Sequence, residues 1–311
     1  MNDKRKFVFG PVVSRRLGRS LGVDPVPFKT CTYDCIYCQL GKTARKTAEI
    51  KEYVKIEPVI SELKRAIDEF HADYITLSGS GEPTLNSGLG EMIREIKKIT
   101  AVPVCVLTNG SLLSREEVRE RLREADLVIP SLDASSAETF KVINRPHPSV
   151  KFPEMAEGIR KFRETFNGKL YLEIMIIDGL NDSEEEINGF IPLIKRINPD
   201  IVQINTVARP PAYRNAGSAP PEKLRRIREL FGDKAEIIVP GKTAGGEPRS
   251  MLRVLEIIGR RPLSADDISI HAGLNRNEAA KCLASLVKEG VIENELVGDE
   301  LYYTVKHGED N

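Results

Sequence analysis

The chain has 311 residues, 41% of them hydrophobic, and its 46 basic residues equal its 46 acidic ones, so the formal charge is +0. This length suits about two domains with a sizeable core, and the neutral balance excludes a global field that recruits nucleic acid. No run approaches the ~18 consecutive apolar residues of a membrane helix, so no membrane association is expected.

The first 30 residues are an exception to the neutral balance. Lys4, Arg5, Lys6, Arg15, Arg16, Arg19 and Lys29 outnumber Asp3 and Asp24. Arg15, Arg16 and Arg19 suit forked binding of phosphates and equally suit pairing with carboxylates on a solvated surface; nearness to the cysteines that follow favours a substrate role. The opening MNDKRKFVFG has charge without an apolar run behind it, so no leader is expected and the expected compartment is a reducing cytoplasm.

Cys31, Cys35 and Cys38 then form CTYDCIYC, a C-x3-C-x2-C triplet with Tyr37 before its last thiol. Structural zinc wants four ligands, commonly in two pairs, and the next histidine and cysteine, His71 and Cys105, fall within a helical and a buried-strand pattern. A disulfide framework is disfavoured by the odd total of five cysteines. Three close thiolates suit three irons of a [4Fe–4S] cube whose fourth iron stays open to a ligand that is not protein.

Beyond the triplet, apolar β-branched runs alternate with segments of helical period, the pattern of βα units and a parallel sheet. Strands are expected near 20–27, 74–79, 102–109, 127–133, 170–177 and 201–208, and helices at 57–71, 86–98, 115–125, 153–166, 183–197 and 221–231. Ser114, the run from Asn181 to Ser183, and Asn86 offer N-caps. The fold expected is a partial (β/α)6 barrel over 1–240. Strand-end loops of such barrels converge on one mouth, and there the chain places Ser78–Thr84 (SGSGEPT), Thr108-Asn109-Gly110 and Ser131-Leu132-Asp133. Each alone reads as well as an ordinary turn; their order along successive strands points to one site. The proline-rich 209–221 follows the sixth strand as either a lid or an excursion, making Asn205, Arg209 and Tyr213 substrate candidates.

Residues 241–248 (GKTAGGEP) read as a linker, and 249–307 as three short helices and a hairpin turning at Gly298-Asp299, a winged-helix-like domain. Its acidic residues outnumber its basic ones, which suits protein contact or substrate delivery better than DNA.

The triplet with Tyr37 and the later SGSGEPT resembles the radical S-adenosylmethionine (SAM) superfamily, and FGPVVSRRLGRSLGVDPVPFKT before it resembles a branch related to wyosine-synthesising tRNA enzymes. The resemblance spans about 7–240. It implies a [4Fe–4S] cluster on Cys31, Cys35 and Cys38 and SAM contacts from Tyr37, Ser80, Gly81 and Glu82, with further contacts from Asn109, Ser131 and Glu173. It also implies reductive cleavage of SAM, hydrogen abstraction from tRNA, a nucleotide or a protein, and electrons from a flavodoxin or ferredoxin. The departures are serine at 80, where the family has glycine, and the lack of any cysteine before Cys31 for the second cluster of the wyosine enzymes. An alternative of another class is an Fe–S sensor that regulates through the winged helix without turnover.

Overall fold

The computed structural model describes residues 7–14, 16–238, 251–272, 289–298 and 300–306, with a few isolated helical positions between 279 and 287. Arg15, the expected linker and most of the segment expected as the third C-terminal helix lie outside the described residues.

The chain opens with an antiparallel pair, β1 (Val8–Ser14) and β2 (Gly18–Val23), whose register shifts between Phe9 and Val12. Two short parallel strands, β3 (Thr30–Cys31) and β4 (Arg45–Lys46), then tie the two ends of the cysteine loop together. Regular alternation follows: α1 (Ile56–Glu69), β5 (Tyr74–Leu77), α2 (Leu89–Ile99), β6 (Val104–Thr108), α3 (Glu116–Leu122), β7 (Leu127–Pro130), α4 (Ala137–Asn144), α5 (Phe152–Thr165), β8 (Lys169–Asp178), α6 (Glu184–Ile197) and β9 (Ile201–Thr206). The core ends with β10 (Gly217–Ser218), α7 (Pro221–Phe231) and β11 (Ala235–Ile237).

The sheet runs β1-β2-β5-β6-β7-β8-β9-β11, parallel from β2 onward, with β10 on β8. The six strands expected from the sequence are its centre. Their apolar runs are buried, as a sheet covered on both faces requires, and Val104, Cys105 and Val106 are fully inaccessible. The edge strands β1 and β11 were not expected, because β1 is broken by Gly10-Pro11 and β11 is only three residues long.

Three local expectations fail for identifiable reasons. Ser183 caps α6 by accepting from Glu186 N, but Ser114 does not cap α3, whose N-cap is Arg115 without a side-chain bond. Asn86 does not start a helix either. It is fully buried and donates to the Pro25 and Val54 carbonyls at 2.7 and 3.1 Å, so its amide ties two loops and α2 begins at Leu89. Helix α4, capped by Ser136 accepting from Thr139 N, lies in a stretch expected to be connection.

Beyond residue 250 come α8 (Met251–Ile258), β12 (Leu263–Ser264), α9 (Ala265–Ala272), β13 (Ile292–Val297) and β14 (Glu300–Val305). The last two form the expected hairpin, and the three strands order as β12-β14-β13 around their own small apolar core.

Candidate functional site

A cavity of about 400 Å³ is bounded by strand residues Ser20, Thr76, Glu173, Met175 and Asn205 and by the loops that follow β2, β5 and β9. All three thiols of the triplet line it, together with Tyr33 and Tyr37. The local chain explains the convergence. The β3–β4 pairing closes the base of the loop, and backbone bonds from Cys38 N to Cys35 O and from Gly41 N to Cys38 O fold its tip. The Asp34 and Ile36 amides donate to the Asn144 and Ile143 carbonyls and so dock the loop on the end of α4.

The segment after β5 approaches from the other side. Gly79 has φ +79 and a Cβ there would fall 1.6 Å from Asp24 Oδ1; a Cβ on Gly81 would fall 2.0 Å from the Thr30 carbonyl. Both positions therefore require glycine. Ser80 donates its amide and hydroxyl to Asp24 Oδ1 at 2.9 and 3.2 Å, and Ser80 and Gly81 line the cavity.

Glu82 does not. Its carboxylate turns inward and accepts from Thr84 N (3.1 Å), Thr84 Oγ1 (2.5 Å), Thr108 Oγ1 (2.6 Å) and Asn109 N (2.7 Å). Burial pushes its pKa up while those donors pull it down. Asn109 is likewise outside the cavity lining, yet its Nδ2 donates to Cys31 Sγ at 3.4 Å and to Thr32 Oγ1 at 2.7 Å. Ser131 bridges β7 to Glu173 through backbone pairing and does not line the cavity.

A second buried carboxylate, which sequence reasoning noted only as the end of SLD, sits across the loop. Asp133 accepts from Tyr37 Oη, from Asn144 Nδ2 at 2.7 Å and from Met175 N at 3.1 Å. Burial raises its pKa to about 6, opposed by those three donors and reinforced by the charge of Glu173. Asn144 also donates to Cys35 Sγ at 3.4 Å, and its buried Oδ1 has no hydrogen-bond partner. No sequence motif marks Asn144; it is simply the last residue of an eight-residue helix.

The basic candidates separate. Arg16 lines the cavity with its Nη1 3.0 Å from Glu173 Oε2, close enough to pair but without hydrogen-bond alignment. Arg19 is exposed; its amide donates to the Asp73 carboxylate and its carbonyl accepts from the Asp73 amide at the N-terminal ends of β2 and β5, the rim opposite the cysteine loop. Asn205 lines the cavity and donates to Glu173 Oε1 at 2.9 Å. The segment after β9 is docked rather than excursive. Arg209 lines the cavity and contacts Gln39, while Tyr213, outside the lining, donates its hydroxyl to Asp34 at 2.8 Å and its amide to Ile36 O.

The donor set fits an iron–sulfur cluster. Burial pushes the Cys31 thiol up to about 12 and raises Cys35 and Cys38, so ligation must displace protons, which a multiply charged metal centre does. Amide donors aimed at Cys31 and Cys35 are the contacts that tune cluster thiolates. Among the described residues no three His, Cys, Asp or Glu side chains converge on a single ion; in a cube each cysteine takes a different iron. The Tyr33 hydroxyl and Arg209 Nε, buried without partners at the cavity, are donors suited to a polar ligand.

Comparison with known proteins agrees with this chemistry. The Radical SAM superfamily pattern matches residues 26–191. A Brachyspira hyodysenteriae protein named GTPase Obg is 40% identical over 309 residues, covering 97% of this chain, which spans 45% of that protein's length. A UPF0026 protein of Methanocaldococcus jannaschii is 35% identical over 247 residues, 78% of this chain and 77% of that protein. A radical SAM methyltransferase from Sphaerobacter thermophilus superposes with a TM-score of 0.52 at 17% identity, covering 70% of this chain and 65% of that one, a likeness of fold.

Proposed function

This chain belongs to the radical SAM superfamily, and from that premise we propose that Cys31, Cys35 and Cys38 hold its [4Fe–4S] cluster and that SAM occupies the adjoining cavity. The protein is an enzyme of radical SAM type whose cofactors are the cluster and SAM. The observation that carries the residue assignment is the placement of all three thiols, Tyr37, Ser80 and Gly81 on one cavity of about 400 Å³. Held by these residues, the cluster would supply the electron for reductive cleavage of SAM, and SAM the group that would take a hydrogen atom from the substrate.

The chain's own residues position and exclude. Ser80 and Gly81 present backbone to the SAM amino group, with Asp24 fixing Ser80. Tyr37, anchored on Asp133, presents an oriented ring to the cavity where SAM would sit. Glu173, held by Asn205 and Arg16, is the polar group at the middle of β8 that faces the cavity. Glu82, Asn109 and Ser131 act behind this surface: Glu82 braces the ends of β5 and β6, and Asn109 orients Cys31.

The open sheet is read as a partial (β/α)6 barrel, and 249–307 as a winged-helix-like unit. A flavodoxin or ferredoxin is the proposed reductant, in the cytoplasm; no helix among the described residues is long and apolar enough to cross a membrane. The substrate is tRNA, a nucleotide or a protein. Wyosine synthesis is not proposed, because residues 1–30 hold no cysteine for the second cluster of those enzymes. The sensor alternative finds no support among the relatives.

The test is anaerobic reconstitution with iron and sulfide, reduction with dithionite, and measurement of 5′-deoxyadenosine for wild type and Cys35→Ala. Wild type yields it slowly and the variant does not. A cluster whose electron paramagnetic resonance spectrum is indifferent to SAM would overturn the assignment.

A further inference from the structure

Charge is unevenly distributed around the cavity. Arg16, Lys29, Arg209, Arg260 and Arg261 line it, against Asp24 and Glu173. Three of these cations line the part of the cavity where the barrel adjoins the C-terminal unit. Arg209, from the segment after β9, contacts Gln39 beside the last cysteine and lies 3.4 Å from Asp267 on α9. Arg260, at the end of α8, pairs with Asp24 and sets its guanidinium 4.5 Å from the Phe9 ring centroid. Arg261 Nη2 is 3.1 Å from His271 Nε2.

Among the described residues, even with Asp267 included, five cations and three carboxylates stand at this cavity. Arg209 Nε and Arg16 Nη1 are buried without hydrogen-bond partners. Buried donors are costly when unpaired. A ligand carrying anionic oxygens relieves that cost, and the planar fork of arginine matches the geometry of phosphate or carboxylate. Burial pushes Asp267 up, but Arg209, Arg261 and His271 outweigh it and hold the carboxyl below its usual range, so this corner is electropositive.

We propose that the C-terminal unit completes the active-site cavity and that Arg209, Arg260 and Arg261 bind a phosphate or carboxylate group of the substrate, beside the cofactor surface formed by the cysteine loop and Ser80-Gly81. The inference rests on the cofactor assignment above for which wall is left to the substrate. It gives the C-terminal unit a part in binding substrate at the site itself. Asp24 joins the two walls, since one carboxylate oxygen holds Ser80 and the other pairs with Arg260.

Calorimetry on the cluster-loaded full-length protein with SAM present tests this without turnover, using inorganic pyrophosphate and malonate as probes. Pyrophosphate binding alone identifies a phosphate group, and malonate binding alone a carboxylate. Arg261→Gln weakens the bound probe by about tenfold or more, the loss expected when a charged hydrogen-bond donor is removed, and leaves SAM affinity unchanged. Arg209→Gln, outside the C-terminal unit, gives a comparable loss and separates anion binding from misfolding of that unit. Arg261→Lys recovers part of the affinity. Binding of neither probe, equal probe affinity in wild type and both glutamine variants, or a parallel loss of SAM affinity would overturn the proposal. The last result would assign the arginines to the SAM carboxylate. None of these outcomes bears on whether the cysteines carry the cluster, which the deoxyadenosine assay decides separately.

Discussion

On the β6 side of the cysteine loop, Glu82 reaches Cys31 through Asn109; on the β7 side, Asp133 reaches Cys35 through Asn144. The two relays have the same parts in the same order but differ in what surrounds the carboxylate. Glu82 accepts from four donors on the segments after β5 and at the end of β6. Asp133 accepts from three, one of them the phenol of Tyr37, and lies close enough to Glu173 for that charge to raise its pKa. The difference separates a brace from a responsive group. Glu82 holds two strand ends together, whereas Asp133 connects the loop's aromatic ring to a thiol; burial raises the pKa of both, that of Asp133 to about 6.

The largest effect should follow from removing the brace. Glu82→Ala leaves four donors unpaired in a site that is 1% exposed. A loss of about 4 kcal/mol is expected, since each buried orphan costs ~1–3 kcal/mol and neighbouring losses are not additive. Urea unfolding of the cluster-free protein measures it, and a loss under ~1 kcal/mol would show that the donors find other partners and that the two relays are alike.

Asp133→Asn sharpens the contrast through its pH dependence. The Asp133 pKa is raised to about 6 in the folded chain, against about 4 unfolded. The native state therefore binds the proton more tightly, and Asp133 contributes stability that is full below about pH 4 and lost as pH rises through about 6. The Asn variant should lack this decline while costing about 1–3 kcal/mol at acid pH, because an amide N–H then meets Met175 N or Asn144 Nδ2. Identical pH profiles for cluster-free wild type and variant between pH 4 and 6 would remove the distinction.

The asparagines come next in size. Asn144→Ala removes donations to Asp133 and to Cys35, and Asn109→Ala removes donations to Thr32 and to Cys31. Each should cost about 1–2 kcal/mol, with Asn144 the smaller loss because its orphaned Oδ1 is removed as well. Both variants should shift the electron paramagnetic resonance signal of the reconstituted cluster, since hydrogen bonds to the sulfurs tune such centres; an unchanged signal in both would reduce the relays to packing.

Local pattern made some of this legible in the sequence and distance hid the rest. The thiols were legible because the first and last lie only seven positions apart in the chain, so they must share a loop. The parallel strands were legible because burial on both faces writes a continuous apolar run. Glu82 was expected to face a ligand, but its orientation is set by Thr108 and Asn109, 26 and 27 residues away. Nothing near Asn144 forecasts a bond to a thiol 109 residues earlier, or near Arg260 a pair with Asp24 across 236 residues. The polar side chains that meet only when the strands are aligned are the ones sequence reading misses. Asn86, read as a cap and found as a tie between loops, is the same failure at shorter range.

The smallest effect comes from two arginines three residues apart. Arg16 and Arg19 flank the turn into β2 and read alike in sequence, yet one enters the cavity beside Glu173 and the other stays on the far rim. What Arg19 contributes there is backbone: its amide donates to Asp73 and its carbonyl accepts from the Asp73 amide, and both bonds survive loss of the side chain. Arg19→Ala should therefore change stability by no more than ~0.5 kcal/mol, the usual range for an exposed substitution, and leave both SAM and probe-anion affinity as in wild type. Arg16→Ala removes the cation facing Glu173 inside the cavity, and the loss of that positive charge should weaken anion binding there while Arg19→Ala does not. Equal effects of the two substitutions on anion affinity would mean that the basic N-terminal segment acts as a diffuse field, with no role for position.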